Sequence, residues 1–229
     1  MKILTIAAME IEQQLLLEQM TAKKEITLAN HIILTEGLLD GKAFSLLLCG
    51  IGKVNAALSC ALAINQTKPD LVVNSGIAGG LLASQQLADI VISYQAAYHD
   101  VDVTAFGYSY GQLPKSPLIY EGDAKAAGFL QEAANSYGYR ANVGLVVSGD
   151  QFVNNTTQVK TILNHFPAAE AVEMEAAAIA HSCTNLNTPF VIIRSLSDKA
   201  DSNAKHDYGR FAKEASERSA KLVRTLVNR

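Results

Sequence analysis

Long apolar runs recur along this chain, and they constrain its fold more than any other feature. Half-exposed strands alternate apolar and polar residues, whereas these runs are largely continuous, which is typical of strands buried on both faces. The predicted strands cover residues 2–8, 44–49, 70–75, 89–94, 142–148 and 189–195. We therefore expect an α/β fold with a central, mostly parallel or mixed sheet that is flanked by helices.

Helical periodicity fills the intervals between the predicted strands. The predicted helices cover residues 10–20, 54–66, 123–137, 156–165, 174–185 and 206–228. The last one has a stripe that includes Phe211 and Leu222, which favours packing on the sheet over binding a partner. No Gly/Ser-rich linker, charge run or repeat interrupts the chain, so we expect residues 1–229 to form a single domain.

Composition and charge argue against several classes of function. Lys and Arg are dispersed and the formal net charge is −3, which makes nucleic acid an unexpected partner. No apolar run approaches the roughly 20 residues that span a bilayer, and the N-terminal run is too short for a signal peptide. Cys49, Cys60 and Cys183 lack CxxC spacing and are expected to be buried, reduced thiols. These features predict a cytoplasmic protein without membrane contact.

Three carboxylates lie in three separate motifs. Glu12 (in MEIE) and Asp198 (in RSLSDKAD) follow apolar runs, and Glu175 (in VEMEAAAIAH) heads a predicted helix. Acids beyond the ends of buried strands converge on the rim of a parallel sheet, where α/β proteins bind small molecules. Each acid alone is equally explained as a capping or helix-dipole residue, so the functional interpretation depends on all three, together with Arg194.

Metal chemistry is the less favoured interpretation of these acids, because no cluster of histidines or cysteines accompanies them. His99, Asp100 and Asp102 superficially resemble metal ligands. They offer a single imidazole, and no second His or Cys stands at ligand spacing, so no metal site is expected there.

Glycine and aromatic motifs leave two interpretations open. The glycines of CGIGKVNAA (residues 49–57) and NSGIAGG (residues 74–80) suit either a tight turn or a backbone that approaches a ligand. The first of these matches neither a Rossmann nor a P-loop pattern. Phe152, in SGDQFVNN, is either a buried ring or one that stacks on a flat heterocycle.

Residues 98–117 form an aperiodic segment, YHDVDVTAFGYSYGQLPKSP, which is rich in aromatics, Gly and Pro. A loop of this length in a compact domain is usually functional or part of an interface. We expect it to form a subunit contact close to the functional site.

Together these motifs resemble the 5′-methylthioadenosine/S-adenosylhomocysteine nucleosidases of the nucleoside phosphorylase/hydrolase superfamily. AAMEIE, GIGKVNAA, SGIAGG, YHDVDVTAFGYSYGQLP, VSGDQF, AVEMEAAAIAH and RSLSD occur in family order over essentially the whole chain. The resemblance implies a nucleoside phosphorylase-like three-layer α/β/α fold. It also implies hydrolysis of the N-glycosidic bond of both nucleosides to adenine and a 5′-thioribose, as in methionine salvage, without a cofactor or metal.

The resemblance implies catalytic roles for four side chains. Asp198 would protonate adenine N7, and Glu12 would activate the attacking water. Glu175 would hold the ribose hydroxyls, and Arg194 would help to organise the water. The implied substrate-binding residues are Met9, Ile51, Gly79, Phe152, Val153, Glu173, Met174 and Tyr208.

The resemblance further implies a homodimer. Val103, Phe106 and Pro114 of the partner subunit would close the pocket for the alkylthio group of the nucleoside substrate. Ile77 stands where the family usually has Ser, and Tyr208 stands where Phe is common. These two positions bear on substrate preference and turnover rather than on the reaction class.

Two other functions remain as alternatives. A phosphate-dependent purine nucleoside phosphorylase is disfavoured, because Glu12 would place negative charge where the phosphate binds. A nucleoside-binding protein without turnover has only Ile77 in its favour. The sequence does not rank methylthioadenosine, S-adenosylhomocysteine and other 5′-substituted adenosines as substrates.

Overall fold

One mixed sheet of twelve strands runs through the computed structural model, which describes residues 1–229. The strands are β1 Ile3–Ala7, β2 Thr21–Ala29, β3 Ile32–Leu39, β4 Lys42–Leu48, β5 Leu71–Gly80, β6 Ile90–Ser93, β7 Gln95–Tyr98, β8 Tyr120–Glu121, β9 Ala141–Val143, β10 Leu145–Ser148, β11 Ala169–Glu173 and β12 Phe190–Asp198. The helices are α1 Glu10–Gln19, α2 Lys53–Thr67, α3 Ala124–Ser136, α4 Thr156–His165, α5 Ala176–Asn185 and α6 Ala204–Val227.

Parallel pairing dominates the middle of the sheet. β1 lies parallel to both β4 and β5, and β12 lies parallel to β5. Antiparallel pairs join β2 to β3 and β3 to β4. Every residue of β5 and of β12 is buried, as the continuous apolar runs predict for strands covered on both faces.

Helices cover both faces of this sheet. Successive residues of a strand point to opposite faces, so Ile192 and Ile193 of β12 belong to two different apolar clusters. The cluster around Ile192 includes residues of α2 and α5, and the cluster around Ile193 includes residues of α1, α3 and α6. This arrangement confirms the expected three-layer α/β/α fold. None of the six helices combines the length and apolar character needed to cross a membrane.

The structure differs from the sequence predictions in several strands. The β2–β3 hairpin was not predicted, because β2 lies at the edge of the sheet and is mostly exposed and polar. The short strands β7, β8 and β11 were also missed. The single strand predicted over residues 142–148 is two strands, because the chain leaves β6 at Gly144 and then pairs with β7 and β11.

Candidate active site

A cavity of about 450 Å³ opens beside the ends of β5, β11 and β12. It therefore lies where a parallel sheet is expected to bind a small molecule. Four of its lining residues are acids. The cavity is lined by Ala8, Met9, Glu12, Ile51, Ile77, Ala78, Gly79, Phe152, Asn154, Val172, Glu173, Met174, Glu175, Ser197, Asp198, Lys205 and Tyr208.

Glu12 is held on the cavity wall by backbone donors from two segments. Its Oε2 accepts the N–H groups of Ala8 (2.8 Å) and Met9 (3.0 Å), where the chain turns from β1 into α1. Its Oε1 accepts the N–H of Ile77 in β5 at 3.0 Å. Burial raises the pKa of Glu12, while the charge of Arg194 and these three N–H groups oppose that rise. The side chain is thus fixed in orientation as an acceptor.

Asp198 is the last residue of β12 and is buried. Its Oδ1 accepts the N–H of Ala200 at 2.8 Å, and its Oδ2 accepts the hydroxyl of Ser197 at 2.8 Å. Burial raises the pKa of Asp198, although both hydrogen bonds lower it. A raised pKa favours the neutral carboxyl, which is the form that can donate a proton to a bound molecule.

Glycines in β5 leave the space that these two acids occupy. A Cβ at Gly79 would lie 2.9 Å from Asp198 Oδ1, and a Cβ at Gly76 would collide with Glu12 Oε1. The SGIAGG motif is therefore a close-approach strand rather than a turn, since these glycines lie within β5 and let two carboxyl groups pack against its backbone.

Glu175 stands at the N-terminal end of α5, and its Oε1 accepts the N–H of Gly52 at 2.8 Å. Burial and the nearby Glu173 carboxylate raise the pKa of Glu175 to about 8. Glu173 itself accepts N–H groups from Glu175 (3.0 Å) and Ala176 (2.9 Å), and it also accepts the hydroxyl of Ser148. Glu173 therefore caps α5 and also forms part of the cavity wall.

Arg194 lies behind the cavity rather than on its surface. This guanidinium is 2% exposed and donates to Glu173 Oε2 at 2.6 Å and to Asn74 Oδ1 at 2.5 Å. It is absent from the cavity lining, and its charge acts on Glu12, which does line the cavity. The expected part of Arg194 in organising the water therefore stays a prediction, and any such effect would pass through the carboxylates beside it.

Apolar side chains make up the other wall of the cavity. Met9, Ile51, Met174 and Tyr208 line it, and the ring of Phe152 is 46% exposed beside them. The Tyr208 hydroxyl donates to the Met9 sulfur at 3.2 Å, and the rings of Phe152 and Tyr208 meet edge to face with centroids 6.3 Å apart. Phe152 thus has the exposure that a stacking residue needs.

Other predicted residues fall outside the main cavity. Val153 is buried and lines a small adjoining cavity of about 30 Å³. Val103, Phe106 and Pro114 do not line the cavity of their own chain, and Phe106 is 81% exposed. The part expected of these three residues in the cavity of a partner subunit stays a prediction.

Two of the three residues that resembled metal ligands have other partners, whereas His99 Nε2 is buried without a hydrogen-bond partner. Asp100 accepts two hydrogen bonds from the Lys53 ammonium, at 2.8 and 2.7 Å, and one from the backbone N–H of Asp150, and Asp102 accepts the hydroxyl of Thr104. No group of three or more His, Cys, Asp or Glu side chains is arranged to hold a metal ion.

Sequence reasoning missed several residues of the site. Ser148 and Asn74 belong to motifs that the sequence singled out, and they hold Glu173 and Arg194. Asn154 belongs to the SGDQFVNN motif but was not itself predicted, and Lys205 lines the cavity without any signal in the sequence. Their positions depend on how the turns after β10 and β12 lead into the next helices, which periodicity does not predict.

Known proteins share this fold and length. A family model described as the phosphorylase superfamily matches residues 2–228. A 5′-methylthioadenosine/S-adenosylhomocysteine nucleosidase from Neisseria meningitidis, solved with methylthio-immucillin-A, is 45% identical with a TM-score of 0.95. The match covers 99% of this chain and 98% of that one.

Two further solved structures show the breadth of the similarity. The nucleosidase of the same description from Colwellia psychrerythraea, in complex with adenine, is 40% identical with a TM-score of 0.95, covering 100% of this chain and 95% of that one. A futalosine hydrolase from Helicobacter pylori is 30% identical with a TM-score of 0.93, covering 99% and 97%. The chain belongs to the phosphorylase superfamily and, within it, to the 5′-methylthioadenosine/S-adenosylhomocysteine nucleosidases.

Proposed function

We propose that this protein hydrolyses the N-glycosidic bond of 5′-methylthioadenosine and S-adenosylhomocysteine, releasing adenine and the corresponding 5′-thioribose. The observation that carries the proposal is the convergence of Glu12, Glu175 and Asp198 on one cavity that also has an apolar wall. Its nucleosidase relatives, which are 45% and 40% identical, were solved with methylthio-immucillin-A and with adenine.

Asp198 is the proposed general acid. As the bond between ribose C1′ and adenine N9 breaks, its electron pair moves onto the base. Asp198 donates a proton to adenine N7, and this proton neutralises the leaving group. This requires a neutral carboxyl when substrate binds, which the raised pKa of Asp198 favours. General acid catalysis of this kind contributes roughly 10²–10⁴-fold to the rate.

Glu12 is the proposed base for water. The ribosyl group develops positive charge as the bond breaks, and the water oxygen then bonds to C1′ while its proton passes to Glu12. Burial raises the pKa of Glu12, and the three N–H groups that bind it limit this rise because they stabilise the ionised form, which is the form a base needs. The buried charge of Arg194 supports the same form.

The remaining cavity residues are proposed to bind the nucleoside. Glu175 would accept the ribose hydroxyls, with the Met174 backbone beside it. Phe152 would stack on adenine while the Val153 backbone binds the edge of the base. Met9, Ile51 and Tyr208 would contact the thioalkyl group, whose burial contributes about 0.8 kcal/mol per methylene. Gly79 and Glu173 would support this arrangement from the wall.

Phosphorolysis fits the same cavity poorly. A phosphate nucleophile needs cationic side chains and free backbone donors where the water would stand. The cavity instead presents four acids, and the N–H groups nearest Glu12 are already bound to its carboxylate. Like-charge repulsion therefore opposes phosphate at this position.

The homodimer, the cytoplasmic location and the role in methionine salvage are part of the proposal. Exposed apolar side chains, among them Phe106 (81% exposed) and Val54 (78% exposed), support a second subunit. The three free, buried cysteines suit a reducing compartment.

The decisive experiment measures adenine release from methylthioadenosine in phosphate-free buffer. We expect rapid release by the wild type, and a loss of about 10²–10⁴-fold in kcat in Asp198→Asn, which keeps the shape of the side chain but cannot donate an acidic proton. Thermal unfolding of the variant serves as the control for folding.

Three outcomes distinguish the candidate functions. Release that requires added phosphate would identify a phosphorylase. Tight binding of a nucleoside analogue with no adenine released over hours would identify a binding protein. Full activity in Asp198→Asn would leave the reaction in place but remove Asp198 as the acid.

A further inference from the structure

Lys205 is the only basic residue that lines the cavity, and no part of the mechanism above uses it. It belongs to the first turn of α6 and is exposed. Its ammonium makes no ion pair with any acid of the chain, whereas Lys53, Arg194, Arg218 and Arg224 all do. The ammonium is thus available to a molecule in the cavity.

The cavity has a buried acidic floor and an exposed rim. Glu12, Glu175 and Asp198 are buried, whereas the lining residues Phe152 and Lys205 are exposed. Since adenine and ribose are proposed to meet the acids, the 5′ substituent extends towards the rim. The cavity therefore has carboxyl groups at its floor and a single ammonium group at its rim.

Tyr208 connects these two regions. It follows Lys205 by three residues on α6, so both side chains project from the same face of the helix. The Tyr208 hydroxyl donates to the sulfur of Met9 at 3.2 Å, and Met9 precedes Glu12 by three residues, which places this hydroxyl towards the floor. A 5′ chain that leaves the ribose alongside Tyr208 consequently reaches Lys205 one helical turn further out.

We propose that Lys205 determines specificity by binding a carboxylate at the far end of the 5′ substituent. The inference rests on the proposed nucleosidase function and names the substrate class that this site favours. S-adenosylhomocysteine carries such a carboxylate on its amino-acid tail, and methylthioadenosine does not. Without Lys205, this carboxylate would meet a cavity whose other charged groups are all acids.

Three synthetic 5′-thioadenosines of matched chain length isolate the charge. They carry a 3-carboxypropyl, a butyl or a 3-aminopropyl group on sulfur, and kcat/KM is measured for each, with S-adenosylhomocysteine and methylthioadenosine alongside. We expect the wild type to prefer the carboxypropyl over the butyl compound by about fivefold, the size of a partly exposed charge pair. The aminopropyl compound should be the poorest of the three.

Substitutions of Lys205 test the assignment through this ratio. Lys205→Met should abolish the preference, Lys205→Glu should reverse it in favour of the aminopropyl compound, and Lys205→Arg should retain it. The matched control is Lys213→Met, an exposed lysine on the same helix that does not line the cavity, and its ratio should equal that of the wild type. Screening at about 0.5 M salt should shrink the wild-type preference.

The outcomes separate this inference from the proposed function. Equal kcat/KM for the carboxypropyl and butyl compounds in the wild type would overturn the role of Lys205 while leaving nucleosidase activity intact. An equal loss on all three compounds in Lys205→Met would also overturn it, because such a loss is structural. No adenine release from methylthioadenosine by the wild type would instead overturn the nucleosidase function. If carboxypropyl is preferred but S-adenosylhomocysteine is not, the site binds carboxylates other than that of an amino acid.

Discussion

Glu12, Glu175 and Asp198 are carboxyl groups in three different surroundings. Glu12 accepts three backbone N–H groups and lies near Arg194, whereas Glu175 accepts one N–H and lies near the negative Glu173. Burial raises the pKa of all three, and the opposing contacts differ. Such differences in environment support the proposed roles of Glu12 as base, Glu175 as ligand for the ribose hydroxyls and Asp198 as acid.

The raised pKa of Glu175 predicts a pH dependence of stability. Its pKa is about 8 in the folded protein against 4.5 for an ordinary Glu, so in this range the folded state holds a proton that the unfolded chain releases. The free energy of unfolding must then fall as pH rises from 4.5 to about 8. We expect the Tm of ligand-free Glu175→Gln to decline less over this range than that of the wild type. Parallel declines in calorimetry would contradict this prediction.

Gly79 allows a prediction about side-chain positioning. Gly79→Ala would put a Cβ 2.9 Å from Asp198 Oδ1 and 3.1 Å from the Ala200 Cβ, so Asp198 must move. A shift of about 1 Å in a reacting group costs on the order of 10²-fold in rate, and we expect a loss of that order in kcat/KM.

The matched control for Gly79 is Gly128→Ala in α3, where a Cβ meets nothing within 4 Å. It should keep full activity, and it should be at least as stable as the wild type because Ala favours a helix. Wild-type kinetics in Gly79→Ala would show that Asp198 accommodates the methyl group without displacement.

Sequence reasoning reached the acids and missed what holds them. Glu12, Glu175 and Asp198 could be identified from the sequence because each stands next to a long apolar run or a clear helical pattern. Arg194 was also singled out, yet its burial behind Glu173 follows from the pairing of β12 with β5, which no local pattern encodes. Lys205 gave no signal because its cavity contact depends on the turn after Asp198.

At the scale of secondary-structure elements, a cluster of charged side chains joins three connecting segments, which carry Lys53, Asp100 and Asp150. Lys53, the first residue of α2, binds Asp100 at 2.7 Å and lies 3.6 Å from Asp150. The backbone N–H of Lys53 also donates to Asp150 Oδ1 at 2.9 Å, and the N–H of Asp150 donates to Asp100 Oδ2 at 2.9 Å. The neighbouring Gly52 binds Glu175, and Phe152 follows Asp150 closely, so the cluster supports two sides of the cavity.

Lys53→Met should therefore weaken substrate binding more than it slows chemistry. Without the ammonium, Asp100 and Asp150 repel each other, and the segments that carry Gly52 and Phe152 lose their common anchor. We expect KM for methylthioadenosine to rise by about tenfold, with a smaller change in kcat, as for the loss of about 1.4 kcal/mol of binding.

Two other variants test whether this effect is specific. Lys53→Arg should restore much of the wild-type KM, and Lys160→Met, an exposed lysine on α4 outside the cavity, should leave it unchanged. An unaltered KM in Lys53→Met would show that backbone hydrogen bonds alone hold these segments.

The position of a strand in the sheet decides whether the sequence could predict it. β1, β5 and β12 are covered on both faces, so their continuous apolar runs identified β1, the first half of β5 and most of β12. β2 at the edge is mostly exposed, and its sequence TAKKEITLA gives no such signal. β11 is short, and its sequence AEAVE is followed closely by the alanine-rich start of α5. Residues 169–173 were therefore predicted as a connection that leads into a helix.

Considered as a whole, the molecule exposes an apolar face next to its cavity. Val54 and Leu58 lie four residues apart on α2 and are 78% and 51% exposed, and Phe106 in the 98–117 segment is 81% exposed. The bond between Lys53 and Asp100 brings α2 and this segment side by side. An exposed apolar surface of this kind marks an association site in a monomer-sized domain.

We predict a homodimer through this face. Light scattering should give twice the 24.5 kDa of one chain, and Val54→Glu should lower the mass towards that of a monomer because it buries an unpaired charge at the interface. Leu186→Glu, at an exposed position that directly follows α5, is the control for an added surface charge. A monomeric wild type with full activity would exclude a role for the partner's Val103, Phe106 and Pro114 in the cavity.

The place of β12 within the sheet has a consequence for biosynthesis. Residues 190–198 pair along most of β5, yet they are synthesised long after it. Until then β5 presents an open, apolar strand edge, which is the kind of surface that aggregates or recruits chaperones. The nascent protein is thus expected to be most vulnerable to aggregation just before β12, the strand that ends at Asp198, has been synthesised.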